Sequence, residues 1–465
     1  MKKDIIILGG GPGGYYAAIR GAQLGASVTI IEKENLGGTC LNWGCIPTKA
    51  LYRNAEILNT LKHINEYGIN IDGYSIDVAM LQERKGNIVR QLIDGIAKLM
   101  KANRVEVVYG KGILKDRKTV SVELNDGGKI DIEGENIIIA TGSKVSLPPI
   151  PGADLDGLLT SKRILDFKKI PKSLTVIGGG VIGIEFASIF NALGSDVTVL
   201  SRSPNILKRM EPDLTKRLTS VLKKKGINIH RGVQAKKIDK EDGEFVVYAD
   251  TKKGEIRIQS EHVLMSSGRS PRLDGINLEA VGIDFDKNGI KVDKNFETNV
   301  KGIYAIGDVI GGKMLAHVAS HQGVSAVESI MGIESKIKHN VVPDCAFTFP
   351  EIASVGICEK EAKDMGIEYN TSKFLFGANG KALTLGEPEG LVKVISNNQD
   401  EIIGVHIMGA HASDLIHEGA LAISGKMKIN DIAHTIHAHP TLAETFAEAI
   451  LGLKGEAIHM VPTKR

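Results

Sequence analysis

The segment Gly37-Gly38-Thr39-Cys40-Leu41-Asn42-Trp43-Gly44-Cys45-Ile46-Pro47-Thr48-Lys49 places two of the chain's four cysteines five positions apart. Thiols held that close can store two electrons as a disulfide. One sulfur exchanges with an incoming sulfur compound, and the other passes electrons to a bound carrier. The reactive species is the thiolate, not the thiol. Two unrelated core thiols are the plain alternative, because free cysteine is among the most buried residue types. The flanking glycines, Pro47 and Lys49 favour the reactive pair. Deprotonating a dithiol at neutral pH calls for a base titrating near neutrality, and histidine is the usual one. Of 13 histidines, His439 stands out, because Pro440 follows it and Glu444 lies five residues on. A carboxylate on one ring nitrogen fixes the tautomer and stabilises the imidazolium. His434 and His437 read as structural. Cys345 and Cys358 match no redox motif and read as buried free thiols.

The elements that must position these groups repeat along the chain. Ile5–Leu8 runs into Gly9-Gly10-Gly11-Pro12-Gly13-Gly14, and Leu174–Ile177 runs into Gly178-Gly179-Gly180-Val181-Ile182-Gly183. Each copy is a β-branched apolar strand, then G-x-G-x-x-G, then an Ala/Ile-rich helical stretch and a turn into a second strand. That is the strand–helix–strand context in which the motif binds a dinucleotide. The first glycine of each (Gly9, Gly178) permits the tight turn. The second (Gly11, Gly180) lets pyrophosphate approach the backbone, and the third (Gly14, Gly183) lets helix and strand pack closely. The phosphates meet the positive end of the helix.

The residue ending the second strand reads the adenosine ribose. An acid accepts hydrogen bonds from a free 2′-hydroxyl, whereas an Arg accommodates a 2′-phosphate. Counting 23 residues from Gly9 lands on Glu32, so the first site expects a free 2′-hydroxyl. The same count from Gly178 lands on Ser201, with Arg202 next and Lys208 and Arg209 close behind. Two readings stay open there: solvated surface charges, or, at Arg202, a partner for a 2′-phosphate.

At 465 residues the chain has room for about three domains. Hydrophobic content of 42% and charged content of 24% are those of a soluble globular protein. A net charge of +3 is too small to argue for nucleic acid or an anionic membrane surface. Four cysteines make no disulfide scaffold, so a cystine here is expected to be catalytic, in a reducing compartment. Met1-Lys2-Lys3 with Ile5–Leu8 imitates a short signal peptide, but the apolar run stops at the glycines and reads as a buried strand. No apolar run approaches the ~20 residues that cross a bilayer, and a cytoplasmic protein is expected. Two more apolar strands, Ile137–Ile139 and Gly302–Ile306, end in small residues, and Pro148–Gly152 reads as a linker.

These motifs together resemble the pyridine nucleotide-disulfide oxidoreductases, over essentially the whole chain. Within that family the chain is most similar to the dihydrolipoamide dehydrogenases. Cys45 is followed by Ile46-Pro47-Thr48-Lys49, where glutathione reductases tend to have Pro-Lys-Lys, and Val181 stands where they carry a gating Tyr. His437-Ala438-His439-Pro440-Thr441-Leu442-Ala443-Glu444 resembles the dihydrolipoamide dehydrogenase catalytic segment. Phe349–Gly356 and Gly404–Gly409 look like the family's interface domain.

The resemblance implies an α/β fold with two Rossmann-like dinucleotide-binding domains and a C-terminal α+β dimerisation domain. Its expected divisions are an FAD-binding domain (1–143), an NAD(P)-binding domain (144–272), a central domain completing the FAD site (273–341) and an interface domain (342–465). It implies a homodimer with an active site shared between subunits, acting on a lipoyl-bearing protein of a 2-oxo acid dehydrogenase or glycine-cleavage complex. Cys45 would face the flavin and Cys40 would exchange with substrate. Lys49 and Glu185 would pair near the flavin's reactive nitrogen. Gly112, Thr141, Gly142, Asp308 and Ala316 would line FAD, and Val233 and Gly268 would join Gly178, Gly180, Gly183 and Ser201 around NAD. His439 would be the acid–base, oriented by Glu444.

One position departs from the pattern: Ser201 stands where dihydrolipoamide dehydrogenases carry an acid, which leaves NADP use open. Other NADPH-dependent disulfide reductases are the rival reading. Mercuric and large thioredoxin reductases add a C-terminal cysteine pair, absent from Met460–Arg465, and glutathione reductase stays as the near alternative. A flavoprotein scaffold or redox sensor is the rival of another class, opposed by the full set Cys40, Cys45, His439 and Glu444.

Overall fold

The computed structural model describes residues 2–461. The first strand, Lys2–Leu8, is longer at its start than its apolar run, and Ile5, Ile6 and Ile7 are fully buried. Burial on both faces is the signature of an inner parallel strand. Its neighbours are Val28–Glu32 on one side and Lys129–Ile139 on the other, both parallel to it. Glu106–Leu114 adds beyond Val28–Glu32, and Ile303–Ala305 adds beyond Ile137–Ile139. The outer ends of Glu106–Leu114 and Lys129–Ile139 leave the parallel layer and pair with Thr119–Leu124 as an antiparallel meander.

The helix Pro12–Gln23 starts with Pro at its first turn, where the missing N–H costs nothing. It lies against the helix Ala316–Ile330, and the two backbones nearly touch. A Cβ on Gly323 would stand 2.4 Å from the Gly13 carbonyl oxygen. Segments more than 300 residues apart thus close over the first nucleotide motif.

The second half repeats the plan. Asn228–Arg231, Asp196–Ser201, Ser173–Ile177, His262–Met265 and Leu159–Thr160 form a five-stranded parallel sheet. Gln234–Glu241, Glu244–Thr251 and Gly254–Ser260 form its antiparallel companion. The halves differ after the second strand. In the second half one amphipathic helix, Pro212–Lys224, makes the crossover. In the first half, Gly38–Trp43, Cys45–Lys62 and Val78–Ala102 take its place. The cysteine pair therefore sits on an insertion specific to one copy of the repeat.

Beyond Val341 a five-stranded antiparallel sheet runs in the order Asp344–Ala346, Glu351–Gly356, Ile402–Gly409, Leu391–Asn397, Tyr369–Leu375. Helices Ala412–Gly425 and Glu444–Gly452 cover it, around a core that includes Phe374, Phe376, Ile416, Phe446 and Ile450. No helix among the described residues is long and apolar enough to cross a membrane.

Candidate active site

Cys40 lies in the short helix Gly38–Trp43, and Cys45 is the first residue of the helix Cys45–Lys62. Gly44 makes the corner between them: a Cβ there would fall 2.8 Å from the Thr39 carbonyl oxygen. The corner brings the sulfurs together as two free thiols within hydrogen-bonding reach. Their surroundings divide them. The hydrogen bond from Cys40 brings Cys45 down to about 7; burial opposes the shift and the Lys49 charge assists it. A thiolate at the start of an 18-residue helix also meets the helix's free N–H groups. Cys40 is pushed far up by the same hydrogen bond and by burial, with the neighbouring Cys45 charge adding to both.

Lys49 follows one turn after Cys45, and its Nζ lies 2.9 Å from both carboxylate oxygens of Glu185. Glu185 belongs to the helix Val181–Leu193, which opens at the second glycine motif. Its carboxylate also accepts the backbone N–H of Phe347 at 3.0 Å, and Lys49 stands 4.3 Å above the Phe347 ring. Both nucleotide halves and the C-terminal unit therefore meet at one ion pair.

A cleft of about 2050 Å³ runs past the thiols between the two glycine motifs. Typical small-molecule pockets hold ~300–1,000 Å³, so this one has room for more than one such ligand. Gly9, Gly11, Glu32, Cys40, Cys45, Lys49, Gly112, Thr141, Gly142, Glu185, Gly178, Gly180, Ser201, Arg202, Val233, Gly268, Asp308 and Ala316 all line it. Gly14 and Gly183 do not; they pack beneath, where a Cβ would strike the carbonyl oxygens of Gly9 and Gly178 at 1.9 and 2.2 Å. Gly142, Gly180 and Gly268 have open space where a Cβ would project. The Glu32 carboxylate accepts N–H groups from Gly10 (2.7 Å) and Glu34 (2.8 Å) and keeps lone pairs for a ribose. These cradles and that acceptor fit a dinucleotide at the first motif.

Sequence reasoning overlooked the support beneath Asp308. Ser143 donates its hydroxyl to the Asp308 carboxylate, and Arg269 donates to Ser143 through Nε at 2.7 Å and through its second nitrogen to the Ser143 carbonyl at 3.0 Å. Arg269 follows Gly268 directly, which was the available signal. Phe347 had none, since its role comes from packing. The minor cysteines need correcting: neither is fully buried. Cys345 sits on a short edge strand facing the cleft, and Cys358 caps the helix Glu359–Asp364 with its sulfur.

One predicted pair is not brought to the thiols within the single chain. His439 lies outside the cleft, with its side chain 79% exposed. Its Nδ1 is 2.9 Å from Glu444 Oε1, while Glu444 Oε2 accepts the Thr441 N–H at 2.9 Å. Burial raises the Glu444 pKa, but the Thr441 N–H and His439 outweigh it and hold the carboxyl below its ordinary value. The ring is thus oriented with Nε2 turned outward. His437 differs: Glu418 and the Thr435 carbonyl occupy both its nitrogens.

Two dinucleotide-binding halves, a dithiol in the cleft between them and a C-terminal antiparallel domain define a two-electron disulfide oxidoreductase. The chain belongs to the pyridine nucleotide-disulphide oxidoreductase family, whose profile matches residues 3–323, and the family's dimerisation domain matches residues 342–450. FAD and a nicotinamide dinucleotide are the cofactors of that family. The chain is 42% identical to a dihydrolipoyl dehydrogenase of Bacillus subtilis, over 99% of this chain and 98% of that one. It is 41% identical to the Chlamydia muridarum dihydrolipoyl dehydrogenase over 99% of both. Among solved structures, LpdA from Mycobacterium tuberculosis superposes with a TM-score of 0.90 at 27% identity, over 97% of this chain and 99% of that one. RclA from Escherichia coli, described as an HOCl-induced flavoprotein disulfide reductase, gives 0.87 at 25%, over 97% and 99%.

Proposed function

We propose that the protein is a dihydrolipoyl dehydrogenase that works as a homodimer on the lipoyl arm of a partner protein. One observation carries this reading: within the single chain the cleft dithiol and the Glu444-oriented His439 lie apart. A dimer supplies each with the other, His439 of the partner subunit reaching Cys40.

Bound FAD supplies the two-electron carrier between the dithiol and the nicotinamide. It would lie on Gly9, Gly11 and the first turn of Pro12–Gln23, with Glu32 at its ribose and Asp308, fixed by Ser143 and Arg269, along its middle. Lys49 and Glu185 would hold a charge beside its reactive end. A substrate thiolate attacks Cys40 sulfur, and Cys45 leaves as a thiolate, for which its low pKa suits it. His439 of the partner subunit takes the proton from the second substrate thiol, which attacks the first substrate sulfur and frees Cys40. One disulfide forms in lipoamide and one breaks in the protein. The electron pair would leave the dithiol through the Cys45 thiolate, with the bound dinucleotides as its acceptors and one proton released to solvent per turnover. The divisions at 143, 272 and 341 follow this assignment of roles, and a reducing compartment such as the cytoplasm suits an enzyme that cycles through a free dithiol.

The test is a substrate panel. Dihydrolipoamide, glutathione disulfide and mercuric ion are offered with each nicotinamide cofactor, to wild type and to Cys45→Ser. Turnover of dihydrolipoamide, abolished in Cys45→Ser with flavin still bound, is expected. Preferential turnover of either other substrate overturns the reading, as does flavin binding with no lipoamide turnover.

A further inference from the structure

The two halves of this chain hold the same nucleotide motif with opposite charge at the ribose end. In the first half Glu32 ends the second strand and its carboxylate accepts the Gly10 N–H at 2.7 Å. The following loop returns beneath the motif, the Gly37 N–H donating to the Gly10 carbonyl at 2.8 Å. In the second half the loop returns in the same way, the Leu207 N–H donating to the Gly179 carbonyl at 2.8 Å. Ser201 takes the place of Glu32. It is buried directly below Gly179, where a Cβ on that glycine would be 2.5 Å from the Ser201 hydroxyl oxygen, and that hydroxyl donates to the Ser203 carbonyl. Ser201 brings no carboxylate to this strand end.

Three cations follow Ser201 in the next eight residues. Arg202, Lys208 and Arg209 are exposed, line the cleft and form no salt bridge among the described residues. Arg209 acts on Asp344 across the cleft. Arg202 is next to Ser201, and its guanidinium forms no salt bridge among the described residues. The loop is held in place: Ile206 and Leu207 are 0% and 3% exposed, and the Gly232 N–H and the Ser201 hydroxyl both bond the Ser203 carbonyl. A fixed loop spends little entropy when its guanidinium meets an anion, and an Arg–phosphate pair gains from two parallel hydrogen bonds.

We infer that the second motif accepts a nicotinamide dinucleotide bearing a 2′-phosphate on its adenosine ribose, with Arg202 as the residue that selects it. The inference rests on reading that motif as the pyridine-nucleotide site.

The FAD-loaded protein is titrated calorimetrically with NADP+, NAD+, adenosine 2′,5′-bisphosphate and AMP. Each 2′-phosphorylated nucleotide is expected to bind more tightly than its unphosphorylated counterpart, and equal or tighter binding of NAD+ overturns the inference. Arg202→Ala is expected to lower the NADP+ to NAD+ affinity ratio at least tenfold, with Arg202→Lys keeping part of it; a smaller fall in Arg202→Ala overturns the role of Arg202. Retained flavin absorbance shows that each variant folds. If none of the four nucleotides binds, the nucleotide reading of the motif fails together with the inference.

Discussion

Lys49 and Glu185 are 136 residues apart in sequence, yet both Glu185 oxygens lie 2.9 Å from Lys49 Nζ. The ammonium comes from the thiol-bearing insertion of the first half and the carboxylate from the motif helix of the second. Their charges act on Cys45 in opposite senses, Lys49 lowering its pKa and Glu185 raising it.

Lys49→Met should therefore raise the Cys45 pKa and slow alkylation of the reduced protein near neutrality. Glu185→Gln should shift the thiol the other way. The pH profile of iodoacetamide labelling measures both, and identical profiles in the two variants would contradict the opposed charges. Each substitution should also cost ~1–3 kcal/mol of stability, below the ~3–5 for a fully buried pair because Lys49 keeps part of its hydration.

The Cys40 hydrogen bond is the largest influence on Cys45. Alkylation of Cys45 should therefore rise through a midpoint of about 7, where its thiolate forms. Cys40→Ala should move that midpoint upward, since burial of Cys45 is then less well opposed. Titration of the thiolate ultraviolet absorbance follows it.

Replacing the oriented base tests the proposal that the active site is shared between subunits. His439→Gln should lower lipoamide turnover by ~10²–10⁴, the usual contribution of a positioned acid–base group. Glu444→Gln should cost less, since the ring survives and loses only its orientation. Mixing inactive His439→Gln with inactive Cys45→Ser protein, under conditions where dimers exchange, should restore part of the activity. Restoration requires the base and the dithiol to sit on different subunits.

Gly14 and Gly183 give the halves separate tests. Gly14→Ala pushes a methyl into the Gly9 carbonyl and should lose bound flavin, with ~1–3 kcal/mol lost from overpacking. Gly183→Ala makes the same collision with the Gly178 carbonyl and should keep flavin while losing nicotinamide binding. Flavin absorbance and nucleotide titration separate the two outcomes.

Lys393 is fully buried, with Glu211 at 2.8 Å, Asp213 at 2.9 Å and Glu359 all on its ammonium. Glu211 and Asp213 lie at the start of the second half's crossover helix, whereas Lys393 and Glu359 belong to the C-terminal unit. Lys393→Ala leaves Glu211 buried without a counter-charge and should cost ~3–5 kcal/mol, visible as a lower Tm. Asp213, held down to about 2 chiefly by Lys373 and Lys393 against burial, should contribute stability above its ordinary pKa and lose it as pH falls toward 2.

The sequence by itself determined what depends on neighbouring residues. Glycine spacing, apolar strands and the cysteine pair are local signals, because a tight turn, a buried strand and a five-residue thiol separation are properties of short segments. They were enough for both nucleotide motifs, the glycines beneath them and the strand ends Glu32 and Ser201. The tertiary structure decided which residues meet across the chain. Packing joins Lys49 to Glu185, Arg269 to Asp308 through Ser143, and Phe347 to Lys49; no spacing rule encodes contacts between separate sheets. It also decided that His439 faces outward, since whether a side chain meets the thiols of its own chain depends on where the whole C-terminal sheet docks.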